Sequence, residues 1–183
     1  PKNTNSLKLH AYTIYARYIS LLVSQATRHL VQKKIPDDPF QVRNEILDTY
    51  GEINFETLLR YVWSLGIPVL TLDPTAFHAA CFLDEHRSII VLTQKTSSEA
   101  RWMFNLLHEF YHASQGTEQI AENEDELHDT DEERIASKFA DIVLLGQDPH
   151  ELTTLCLDRS DWNISALKNQ VKKISMEKSV RAD

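Results

Sequence analysis

Residues 100–116 read ARWMFNLLHEFYHASQG, and the way this stretch folds decides the rest of the chain. Trp, Met, Phe and Leu side chains crowd it at helical spacing, which predicts a helix with one apolar face. The run TSSE at 96–99 sets hydroxyl caps and a glutamate at its first turn, where free amides and the helix dipole favour them. Into this helix are set His108 and His112, four residues apart, with Glu109 beside the first. Residues four apart stand one above the other, with Cβ atoms ~5–6 Å apart. Two imidazole nitrogens so placed can share one Zn²⁺ at ~2.0–2.1 Å. Glu109 is turned by one residue's rotation, so it can reach a water on such an ion without ligating it, the general-base position. The competing reading is a core helix holding two buried, hydrogen-bonded histidines.

A zinc site needs a third protein ligand and a fourth position left open. A third ligand six residues past His112, with glycine at 115, fails in both places, because they hold Glu118 and Gln115. A glutamate on the next helix is the other route. The segment DEERIASKFADIVLLG, 131–146, starts with acids and ends in Gly146, both helix signals. Glu133 lies 21 residues after His112, far enough for the chain to turn and pack back. With Glu133 inward, Ser137 and Ala140 follow on a stripe of small residues suited to close helix contact, and Ser137 can hydrogen-bond a ligand from one turn away. Glu132 competes, and would place Ala136 there instead. Periodicity favours Glu133, and the other acid serves the helix dipole.

Working outward, residues 7–33 carry Leu7, Tyr12, Tyr15, Ile19, Leu22, Ala26 and Leu30 at helical spacing, a long N-terminal helix that IPDDPF at 35–40 ends. Shorter helices are expected at 40–49 and 54–65. The runs IPVLTL, AACFLD and SIIVLT, at 67–72, 79–84 and 88–93, predict a small antiparallel sheet of about three strands. An acidic connection follows at 116–130, and SDWNISALKNQVKKISMEK, 160–178, closes the chain as a helix. The expectation is an α+β, helix-rich fold: an N-terminal helical extension over 1–50, packed on a domain over 51–183 that carries the histidine helix and the C-terminal helix.

With 42% hydrophobic and 25% charged residues, the composition is that of an ordinary globular chain. No apolar run approaches the ~20 residues that span a bilayer, so no membrane partner is expected. PKNTNSLKLH at the start lacks the pattern of a secretory signal, and opening on Pro1 leaves room for residues upstream. Cys81 and Cys156 are the only cysteines, which suits a reducing, cytoplasmic setting better than a disulfide framework. A net charge of −8 argues against general nucleic-acid binding. Nine acids and no Lys or Arg fall between Glu118 and Glu133, whereas both ends of the chain are basic.

Three passages together resemble the ImmA/IrrE family of metallopeptidases: GIPVL at 66–70, RWMFNLLHEFYH at 101–112 and ERIASKFADIVLL at 133–145. The likeness covers about residues 55–146. It implies a zincin-like fold in which His108, His112 and Glu133 hold Zn²⁺ and Glu109 is the catalytic base. Two positions depart from the family's pattern: Ser137 stands for its asparagine, and Tyr111 replaces a glycine. The resemblance further implies a substrate that is a helix-turn-helix repressor encoded nearby, cleaved to derepress a stress, mobile-element or anti-phage operon. In some anti-phage members a cysteine fills the open zinc position until single-stranded DNA displaces it. Cys81 is the candidate for that inhibitory ligand here; the ordinary alternative is a buried small hydrophobe.

Peptide hydrolysis also needs a donor to the developing oxyanion. His78, His86, His128 and a tyrosine are candidates, and the sequence selects none. Two other classes stay open: a zinc-stabilised regulatory module that senses nucleic acid or binds protein without hydrolysis, and a metal-free helical interaction domain.

Overall fold

The computed structural model describes residues 2–73, 77–84, 87–93, 96–121, 130–161 and 163–178. Its centre is the hairpin of β2, Ala79–Asp84, and β3, Arg87–Leu92, antiparallel with Cys81 opposite Ile90. β1, Val69–Thr71, lies parallel to β3, and β4, Gln119–Ala121, lies antiparallel to β2, giving the order β1-β3-β2-β4. The sheet is therefore mixed, not wholly antiparallel as expected. β1 bonds to the far strand of the hairpin rather than the next one in sequence, and that second step restores its direction. β4 falls within the stretch expected as a plain acidic connection. The helix-rich α+β class and the long N-terminal helix are as expected.

Strand residues alternate between faces. Ala79, Cys81, Ile90 and Leu92 meet α4, Glu99–Gln115, through Leu106, Leu107 and Phe110, all buried. Ala80, Phe82 and Val91 face the other way, where Phe77 and Ala16 of α1, Lys2–Ala26, join them. With both faces covered, the hairpin reads as unbroken apolar runs rather than an alternation. Each large side chain fully buried here contributes roughly 1.5–3 kcal/mol. α2, Pro39–Tyr50, and α3, Phe55–Ser64, complete the α4 side, and Asn54 and Thr57 form a reciprocal cap at the start of α3.

α1 stops at Ala26, short of the expected end near 33. The buried Arg87 draws the chain away: its guanidinium donates to the carbonyls of Thr27 and Leu30, each at 2.6 Å. Gly66 sits against the same segment with φ +80°, where a Cβ would lie 2.5 Å from the Val31 carbonyl oxygen. One helix also went unforeseen. α6, Pro149–Arg159, starts with Asp148 as N-cap and Pro149 in the first turn, ahead of the closing helix α7, Ile164–Lys178. The start signals were present, but Leu152 is the only buried residue of α6, so little apolar periodicity accompanies them.

Candidate metal centre

Two helices build the site. Ser98 caps α4 and Gly116 ends it in a left-handed turn. Thr130 caps α5, Asp131–Leu145, by accepting from the Glu133 amide, which fixes the first turn where the acids lie. α5 packs against α4 through the buried Ala136, Phe139 and Ala140, with Phe139 stacked 6.1 Å from Phe110. The alanines let the two backbones approach, while Ile135 remains outside.

That packing brings Glu133 onto the two histidines. His108 Nε2 lies 3.0 Å from Glu133 Oε2, His112 Nε2 lies 3.3 Å from Glu133 Oε1, and the two Nε2 atoms are 3.2 Å apart. Around an ion with bonds of ~2.0–2.1 Å, tetrahedral ligand atoms stand ~3.3–3.4 Å from one another. The three side chains thus fit a tetrahedral divalent ion with only small outward movement, and among the described residues they form the one such group. Burial pushes the Glu133 carboxyl up, but hydrogen bonds and charge from His108 and His112 outweigh it and hold it at about 2. The carboxylate is therefore ready to ligate at any ordinary pH.

The far nitrogens of the imidazoles are also engaged. Ser137 Oγ is 3.5 Å from His108 Nδ1, a long contact. His112 Nδ1 lies 3.4 Å from Glu132 Oε1 and 3.4 Å from Thr117 Oγ1, and the Thr117 hydroxyl donates to Glu132 at 3.0 Å. The two neighbouring acids thus divide the work: Glu133 faces the metal position and Glu132 the back of His112. Thr117 was not singled out in the sequence. Nothing local marks it, because its role arises from the chain reversal after Gly116.

Glu109 is almost completely buried, and its Oε2 has no hydrogen-bond partner among the described residues. Burial pushes its pKa well up, the Glu133 charge adds to this, and the amide of Cys81 opposes by donating to the carboxyl. A carboxyl of raised pKa with one oxygen unengaged is suited to accept and return a proton. Cys81 contributes that amide, but its thiol lies fully buried in the core beneath the sheet and is not one of the three converging ligands. Burial raises the thiol pKa, reinforced by Glu109 and Glu118. Cys156 sits on α6, partly exposed.

Of the oxyanion candidates, His78 is partly buried just ahead of β2, and His86 and His128 fall outside the described residues. Tyr111 is the tyrosine beside the site, its ring 5.9 Å from that of His112. One turn before His108, the Phe104 ring lies 6.0 Å from its imidazole and also lines a cavity of about 650 Å³. Leu47, Ile53, Met103 and Leu144 give that cavity apolar surface, Arg43, Glu52, Arg101 and Asp141 add charge to its wall, and none of His108, His112 and Glu133 lines it.

No protein-family profile matches the chain, and no curated protein matches it significantly.

Proposed function

We propose that the protein is a zinc-dependent peptidase. The observation that carries this reading is the convergence of His108, His112 and Glu133, with Glu109 on the same helix and not among the ligands. Three protein ligands leave a tetrahedral ion one open position, the arrangement of a catalytic rather than a closed structural site. Zinc held there would supply a water of lowered pKa and polarise a peptide carbonyl. Glu109 takes the proton and returns it to the leaving amine, with the Cys81 amide holding its carboxyl in place. Glu132 and Thr117 orient His112, and Ser137 steadies His108.

The resemblance to the ImmA/IrrE peptidases supplies the substrate class: a helix-turn-helix repressor of a stress, mobile-element or anti-phage operon. In the same reading the protein works in the cytoplasm, and single-stranded DNA is its candidate activator.

Incubating the zinc-loaded protein with the helix-turn-helix protein encoded beside it tests this directly. One cut in the partner is expected, abolished by Glu109→Gln without loss of zinc. The near-complete burial of His108, Glu109 and His112 favours a second reading, a zinc-stabilised regulatory module. Bound zinc with no cleavage, and no effect of Glu109→Gln on function, would establish it.

A further inference from the structure

Among the described residues, nothing covers the outward face of α1. Leu9, Ala16, Ser20 and Ser24 turn inward, and the last three are almost wholly buried. Half a turn away, Leu7, Ala11, Ile14, Tyr18 and Leu21 follow one another at steps of four, three, four and three. That is the 3.5-residue repeat by which one helix seats against another. These positions are open: Leu7 is 68% exposed, Ile14 56% and Tyr18 59%, and Tyr15 and Leu22 widen the stripe on one side.

We infer that this stripe is a homodimer interface, in which α1 pairs with α1 of a second copy. Area supports it. Six large side chains (Leu7, Ile14, Tyr15, Tyr18, Leu21 and Leu22) at about 100 Å² apiece expose about 600 Å² per copy. Complete cover of the stripe in a pair would bury up to about 1,200 Å², which just reaches the range of specific stable interfaces. Shape supports it too. Antiparallel pairing about a two-fold axis sets each bulky Tyr18 against Ile14 of the second copy, and each small Ala11 against Leu21, so the stripe complements itself.

Charge favours a second copy over a lipid surface. A helix lying on a membrane turns a Lys- and Arg-rich polar face to water. Lys2, Lys8 and Arg17 are the only Lys or Arg residues of α1, and Arg17 is already paired with Glu118 at 2.7 Å, so the helix has no continuous basic face.

Sedimentation equilibrium of the full chain, wild type beside Ile14→Lys/Tyr18→Lys, is the test. The wild type is expected at twice the chain mass at tens of micromolar, and the double variant at the chain mass. Loss of two central contacts should weaken association on the order of 100-fold or more. Both residues are exposed in the single chain, so circular dichroism of the variant should match the wild type. Ile14→Gln/Tyr18→Gln repeats the measurement should the lysine variant fold poorly. A wild type monomeric at 100 µM, or well-folded variants that still dimerise, would overturn the inference. So would a monomer that sediments with phosphatidylserine vesicles, which would give the face to lipid.

Discussion

Removing metal with a chelator and restoring zinc should raise the melting temperature by an amount the coordination sphere sets. A ligand that binds only the folded chain stabilises it by about 2.7 kcal/mol when present at 100 times its Kd. For 183 residues each kcal/mol moves the midpoint by about 2–4 °C, so a rise of about 5–11 °C is expected. Glu133→Gln discriminates, because Glu133 is the one ligand from α5 and closes the triangle at 3.0 and 3.3 Å. Losing a direct ligand should weaken zinc at least as much as losing a supporting contact, which reaches about 100-fold. At the same free zinc the variant then gains only about 0.4 kcal/mol, a shift of about 1 °C. Glu109→Gln, which removes no ligand, should keep the full rise. Differential scanning fluorimetry with buffered zinc, and metal content by mass spectrometry, read both. An equal rise in Glu133→Gln and wild type, or none in wild type, would refute the coordination sphere.

Acid should loosen the metal-free protein in a window set by Glu133. Its folded pKa of about 2 lies below the unfolded 4.5, so its stabilisation is present above 4.5 and lost as pH falls through 2. Denaturant melts from pH 5 to 2 should show a flatter profile for Glu133→Gln. Glu109 carries the opposite sign: its folded pKa lies above 4.5, so its contribution is full below 4.5 and declines as pH rises through the folded value. Metal-free Glu109→Gln should therefore be more stable than wild type at pH 8, with the gap closing toward pH 4. Arg87→Ala should cost about 3 kcal/mol, seen as a lower urea midpoint, because it strips charged hydrogen bonds from two carbonyls at the end of α1. Cys81→Ser should lose about 1–3 kcal/mol by placing a hydroxyl in the apolar cluster; higher basal cleavage in that variant would instead make the thiol an inhibitory ligand.

Legibility in the sequence followed how local each cause was. The pair His108 and His112 needs only the helical repeat to share a face, and the caps at Ser98 and Thr130 act within three residues. Glu133 was readable at one remove, through the small residues Ser137 and Ala140 that share its face and lie buried. The placement of Cys81 was harder, because a strand residue's face is known only when its neighbours are. Its amide donates to the Glu109 carboxyl, and the Glu109 charge also acts on its thiol.

The sequence by itself determined every helix but α6, the hairpin strands and the candidate ligands His108, His112 and Glu133, because periodicity, caps and imidazole spacing act over one or two turns. Tertiary structure alone decided the direction of β1, the early end of α1 at Arg87, and the roles of Glu132 and Thr117. Each of those depends on a partner far away in the chain or beyond a chain reversal, which spacing along a single helix or strand cannot encode.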